Sequence, residues 1–278
     1  MRFGGPVFGK HNNSKEWAAE VKKAGYSAAY SPLQLGVSQK TIREYEECAK
    51  QNNIVIAEVG AWSNPLSPDK KAAASVLKSC KECLALADEL NARCTVNIAG
   101  SRGEKWDGPS SLDLLPETFD MVVDMVRDIV DSVKPKRSFY ALETMPWMYP
   151  NSPESYLKLI KAVDRKQFAV HFDPVNMINS PDRYFKTGEI IKTFVKTLGK
   201  YIRSCHAKDI ILRDNLTTHL DEGRPGTGNL DYGVYLKEIN GLKDKDICVM
   251  MEHLPSEQEY REAAKYIRSV AKKGGINI

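Results

Sequence analysis

The sequence predicts one α/β domain over residues 1–278, a single (β/α)8 TIM barrel. Short β-like runs alternate strictly with amphipathic helical runs, eight of each, and no proline- or serine-rich linker divides the chain. Such alternation implies a parallel sheet, and eight units with no spare strand imply closure. The length of 278 residues suits one barrel of this kind. An open doubly wound sheet, the competing fold, requires a glycine-rich turn after the first strand. Here Gly4 and Gly5 precede the strand end, and Gly9-Lys10-His11 does not complete that turn.

Each element has its own signal. Arg2 to Phe8 reads as the first strand and Ser14 to Ala24 as the first helix, stopped by Gly25. Tyr26 to Tyr30 is the second strand, and Ser38 to Gln51 a helix with Ile42, Tyr45, Cys48 and Ala49 on one face. Asn53 to Val59, the third strand, precedes a long Ala- and Leu-rich helix from Asp69 to Leu90. Cys94 to Ile98 is the fourth strand, and the loop from Arg102 to Leu115 has the length of a site-covering segment. Pro116 to Val133 is a helix opened by proline, and Phe139 to Glu143 a strand. Ser152-Pro153-Glu154 opens the next helix as cap, first-turn proline and first-turn acid. Phe168 to Phe172 is the sixth strand, Pro181 to Lys200 a helix, and Ile202 to Ala207 the seventh strand. A long excursion from Asp209 to Leu230 follows, then a helix near Tyr232 to Asn240 and the strand ending at Glu252. Ser256-Glu257-Gln258-Glu259 reads as a capping box for a last helix running to about Lys273.

A formal net charge of +4 on so large a chain is too small to argue for nucleic acid. The amino terminus lacks the charged start and long apolar stretch of a secretory leader, and no apolar run approaches about 18 residues. A cytoplasmic chain with no membrane segment is expected. The six cysteines fall mostly in apolar runs, so Cys80-x-x-Cys83, with no second such pair and no nearby His pair, reads as packing rather than a zinc or redox site.

Four consecutive strands end on metal-binding residue types: Glu143, Asp173, His206 and Glu252. In a barrel these ends share one half of the rim, and three carboxylates packed there without a cation raise one another's pKa. A divalent cation removes that conflict, and three oxygen ligands with one imidazole suit Mn²⁺, Mg²⁺ or Co²⁺ better than a structural zinc.

Glu at the fifth strand end, Asp173-Pro174-Val175-Asn176, His206-Ala207-Lys208-Asp209, Pro225-Gly226-Thr227-Gly228-Asn229-Leu230-Asp231 and Glu252-His253 together resemble the xylose isomerase-like barrel superfamily. That group holds sugar-phosphate isomerases and epimerases, ketose 3-epimerases, hydroxypyruvate isomerase and inosose dehydratase. The resemblance implies one divalent ion, Mn²⁺ first with Mg²⁺, Co²⁺ or Zn²⁺ as alternatives, held by Glu143, Asp173, His206 and Glu252. It further implies that Glu143 and Glu252 move protons on a small sugar or keto-polyol through an enediolate, as an isomerase or epimerase. A homo-oligomer is compatible with it. A metal-dependent lyase or dehydratase is the alternative, and a non-catalytic sugar-binding barrel a third reading. Two departures stand out: Asn176 where many relatives carry His, and Trp147-Met148-Tyr149 where ketose epimerases carry a second Glu.

Further candidates for substrate contact are Lys208 and Arg213 for an anionic or hydroxyl group, Glu58 and Trp62 for a pocket floor, and Trp147 for a wall. His171, two residues before Asp173 and on the same side of its strand, is a candidate support behind the metal ligands or a proton carrier, with a plain core histidine as the alternative. His253 is expected to face away from Glu252.

Overall fold

Strong local signals set most of the elements in the computed structural model, which describes residues 1–278. In chain order these are β1 (Arg2–Gly4), α1 (Ser14–Lys23), β2 (Ala28–Tyr30), α2 (Gln39–Gln51), β3 (Val55–Gly60), α3 (Lys70–Glu89), β4 (Cys94–Asn97), α4 (Pro116–Val133), β5 (Tyr140–Glu143) and α5 (Pro153–Val163). Then come β6 (Phe168–Phe172), α6 (Pro181–Tyr184), α7 (Thr187–Leu198), β7 (Ile202–Ala207), β8 (Asp209–Arg213), β9 (His219–Gly223), α8 (Tyr232–Asn240), β10 (Cys248–Met251) and α9 (Glu257–Lys273). Helix starts follow side-chain caps: Asn13, Ser38, Asp69, Ser152 and Asp231 each accept a hydrogen bond from a first-turn amide. No helix is long and apolar enough to cross a membrane.

Eight strands close into a parallel barrel in the order β1-β10-β7-β6-β5-β4-β3-β2, as expected. Alternation then sorts the side chains. Tyr140, Leu142, Phe168, Val170 and Phe172 join the large core under the helices, whereas Ala141, Ala169, Cys94 and Val96 form a separate cluster that fills the barrel interior. Gly4 is required on β1, because a Cβ there would stand 2.1 Å from the Ala28 carbonyl oxygen.

Three expectations are corrected. The excursion after β7 is an antiparallel hairpin, with Asp209 opposite Gly223 and Arg213 opposite His219, standing outside the barrel. The helix expected over Pro181 to Lys200 breaks at Phe185-Lys186, so nine helices form rather than eight. There the Thr187 hydroxyl donates to the Asn229 carbonyl (3.0 Å) and accepts from the Asp231 amide (3.1 Å), drawing that turn onto the segment before α8. Ser256 caps α9 by accepting from the Glu259 amide, but the Glu259 carboxylate pairs with Arg224 at 2.8 Å instead of closing the box.

Candidate metal centre and cleft

The four predicted ligands meet. β5, β6, β7 and β10 are neighbours in the barrel, and donor atoms of Glu143, Asp173, His206 and Glu252 all lie within 4.8 Å of one another. Hydroxyl groups fix the strand ends that carry them. Thr144 donates to the Asp173 carbonyl (3.0 Å), Tyr235 to the His206 carbonyl (2.7 Å), Tyr232 to the Lys208 carbonyl (2.7 Å) and Tyr30 to the Met251 carbonyl (3.2 Å). Tyrosines satisfied in this way hold the backbone, and hence the candidate ligands, without mobile intermediaries.

His206 Nδ1 is the hub, 2.8 Å from Glu252 Oε1, 3.0 Å from Glu143 Oε1 and 3.9 Å from Asp173 Oδ2. Its other nitrogen, Nε2, lies 3.4 Å from Glu58 Oε2. Asp173 turns its Oδ1 to the Val175 amide (2.8 Å), leaving Oδ2 for the cluster. Lys208, two residues beyond His206, places Nζ 2.6 Å from Asp173 Oδ2 and 2.8 Å from Glu252 Oε1. Asp173 Oδ2 and Glu252 Oε1 are nevertheless buried without a directed hydrogen bond. Oxygens so close to positive charge, yet aimed past it, are the lone pairs a cation would use.

The electrostatics agree. Burial disfavours a charged His206, but Glu252, Glu58 and Glu143 outweigh it and hold the imidazole well above its ordinary pKa. Burial likewise pushes Asp173 up to about 7, with Lys208 pulling it down and Glu143 and Glu252 pushing it further up. Burial also raises Glu143, yet His206 more than compensates and leaves it below the usual carboxylate range. Among the three carboxylates the positive charge is supplied by His206 and Lys208, and the oxygen-rich donor set fits Mn²⁺, Mg²⁺ or a similar divalent ion in their place.

The cluster opens into a cleft of about 500 Å³ lined by Tyr30, Trp62, Trp106, Trp147, Lys208 and His253 among others. Trp62 lies over His206 with ring centroids 6.1 Å apart, and Trp147 Nε1 donates to the Asp107 carbonyl (2.9 Å), tying the loop after β4 to the cleft wall. Trp62, Trp147, Asn176 and Lys208 thus stand at the cleft, as their places in the sequence suggest. Asn176 donates from Nδ2 to Glu143 Oε1 at 3.2 Å.

Three candidates stand elsewhere. Glu58 is 1% exposed beneath the cluster, bonded to Ser204 and, at 3.0 Å, to His171 Nε2, so neither Glu58 nor His171 lines the cleft. Arg213 sits exposed on the hairpin, paired with Asp221 at 2.8 Å. His253, expected to face away, turns back because its φ is +55°, and its Nδ1 lies 2.9 Å from Glu222 Oε2. Glu222 is a site residue that the sequence pattern alone does not single out. It reaches from β9 to Lys208 (2.8 Å), and the only local signal is the run Ile210-Ile211-Leu212, β-branched at its first two positions, which pairs with Glu222, Asp221 and Leu220 across the hairpin.

The family model described as xylose isomerase-like TIM barrel matches residues 18–270. No curated protein matches the sequence. Among solved structures, D-psicose 3-epimerase of Clostridium cellulolyticum H10 with D-tagatose shares 16% identity over 100% of both chains, with a TM-score of 0.71. The probable 3-DHS dehydratase of Bacillus anthracis, involved in petrobactin synthesis, shares 16% over 98% of this chain and 99% of that one, with a TM-score of 0.70. A xylose isomerase-like TIM barrel protein of Mycobacterium smegmatis in complex with magnesium shares 15% over 99% of this chain and 97% of that one, with a TM-score of 0.67. At such identity the likeness speaks for the fold.

Proposed function

The chain belongs to the xylose isomerase-like TIM barrel family, and from that premise we propose that it is a divalent-metal-dependent isomerase or epimerase of a small sugar or keto-polyol. One observation carries the reading: Glu143 and Glu252 both line the cleft, while Asp173, the third carboxylate, is wholly buried behind them. The aspartate is thus left to hold a cation, and the two glutamates also face whatever enters.

Glu143, Asp173, His206 and Glu252 would hold the ion, most simply Mn²⁺ or Mg²⁺. When bound, it supplies Lewis-acid polarisation of a substrate carbonyl, which acidifies the neighbouring C–H. The two glutamates stand on strands separated by β6 and β7, with His206 Nδ1 between them. One carboxylate can take the proton from one side of a carbon, giving an enediolate, and the other can return it from the opposite side. Asn176 keeps Glu143 oriented through its Nδ2 contact of 3.2 Å. Trp62, Trp106 and Trp147 offer flat apolar walls to the C–H faces of a sugar.

The same pair serves β-elimination when a leaving group stands next to the abstracted proton. A cleft of about 500 Å³ falls in the range that admits a ligand larger than one sugar ring, which favours keeping a lyase acting on a substituted keto sugar as the second reading.

Metal analysis, followed by EDTA removal and Mn²⁺ return, tests the shared premise: deuterium uptake from solvent into a panel of keto sugars should stop and resume. Glu143→Gln and Glu252→Gln should each slow uptake by about 10²–10⁴-fold. Uptake at the wild-type rate in either variant removes that residue from the chemistry. Products with the carbon chain rearranged or inverted favour the first reading, and loss of water or an aglycone the second.

A further inference from the structure

Lys208 is nearly enclosed, its side chain 3% exposed, and its ammonium contacts four carboxylates. Three of them, Asp173 (2.6 Å), Glu252 (2.8 Å) and Glu143 (4.0 Å), are ligands in the reading above. The oxygens it approaches most closely in that set, Asp173 Oδ2 and Glu252 Oε1, are both buried and make no directed hydrogen bond. Two positive centres drawn to the same oxygens repel each other strongly in so dry a place. The fourth contact differs in kind. Glu222 Oε1 accepts a hydrogen bond from Nζ at 2.8 Å, belongs to the hairpin rather than the ligand set, and is steadied by His253 on its other oxygen at 2.9 Å.

We propose that Lys208 and the divalent cation compete for Asp173 and Glu252, and that Glu222 is the positioning residue that decides the contest by drawing the ammonium off the ligands. The proposal rests on the four-residue cation site argued above. On this view the β8–β9 hairpin delivers one carboxylate beside the cluster without adding a ligand to it. Lys208 has only to move toward a carboxylate it already touches.

The test is Mn²⁺ affinity, measured by titration calorimetry and by the electron paramagnetic resonance of free Mn²⁺, on the full chain. Lys208→Met should bind Mn²⁺ about ten- to a hundredfold more tightly than wild type, and Glu222→Gln about tenfold more weakly. In the double variant, Glu222→Gln should have no further effect, because no ammonium is left to hold. If Glu222 acted only as a nearby negative charge, its loss would weaken binding equally in both backgrounds, which overturns the proposal; so does a Lys208→Met affinity equal to or below wild type. Lys208→Gln, read alongside thermal melts, replaces Lys208→Met should that variant not fold. A wild-type chain with no Mn²⁺ affinity overturns the cation site itself, an outcome distinct from a wild type that binds while its variants fail to follow this pattern.

Discussion

The Glu58 carboxylate lies under His206, with Oε1 3.0 Å from His171 Nε2 and Oε2 3.4 Å from His206 Nε2. His206 Nε2 and Glu58 Oε2 make no directed hydrogen bond, so the carboxylate acts through its charge: it favours the proton on the near nitrogen and leaves the far one, Nδ1, free to act as a ligand. Glu58→Gln keeps the shape and removes the charge, so the expected result is a folded chain whose Mn²⁺ affinity falls by about ten- to a hundredfold. Unchanged affinity by the same titration would mean that Nδ1 needs no such partner. The four proposed ligands are legible in the sequence because each ends or follows a strand with a clear inward parity. Glu58 is legible as a residue of the right end of the barrel, but not as one beneath the ligands. Strand β3 shifts register against β2 between Ala29 and Tyr30, so that Tyr30 pairs with Glu58, and this displaces the carboxylate from simple alternation. Nothing local announces such a shift. Glu222 is harder still, because its partner Lys208 is reached only once the hairpin has formed.

Asp209 organises the segment that carries that hairpin. Its carboxylate is buried and accepts from the amides of Ile210 (2.9 Å), Gly226 (2.8 Å), Gly228 (3.0 Å) and Leu230 (2.9 Å). Gly228 must be glycine for this approach, since a Cβ would stand 2.1 Å from the Ile210 carbonyl oxygen and 2.5 Å from Asp209 Oδ1. Asp209→Ala strands several buried amides at once and should cost about 2–4 kcal/mol in chemical denaturation, at about 1–3 kcal/mol for each donor left unsatisfied and allowing for water entering the gap. Limited proteolysis should show new cleavage between residues 209 and 230; a variant as stable and as resistant as wild type would show that the loop holds itself. Helices with strong end signals are legible to the residue, as with Pro116–Val133, where proline opens the first turn, and Tyr232–Asn240, capped by Asp231. The break between α6 and α7 is not legible, because it depends on Thr187 meeting Asn229 and Asp231 in space.

Closure of the barrel disposes of all six thiols. Cys94 and Cys248 fill its interior, Cys80 and Cys83 lie on the buried face of α3, Cys205 packs outside β7 and Cys48 lies on α2; all are free and buried. The Cys80-x-x-Cys83 pair is therefore packing, as its helical surroundings suggest: Asn97 Nδ2 donates to Cys80 Sγ at 3.5 Å, and Cys83 Sγ faces the Gly60 carbonyl at 3.8 Å. Burial pushes the Cys83 thiol up to about 11 and raises Cys80, Cys94, Cys205 and Cys248 as well. A thiol reacts as its thiolate and only when reached, so both conditions fail together at these five, and Cys48 is buried. With an aromatic disulfide reagent at mildly alkaline pH, the folded protein should show no prompt thiol, and all six should titrate in denaturant. Because the thiols are spread over the interior, α2, α3 and the layer around β7, slow reaction of the native chain should follow global opening and slow further as the protein is stabilised. Two equivalents reacting at once, and lost in Cys80→Ser, would instead make that helix a reactive dithiol site and end the packing assignment.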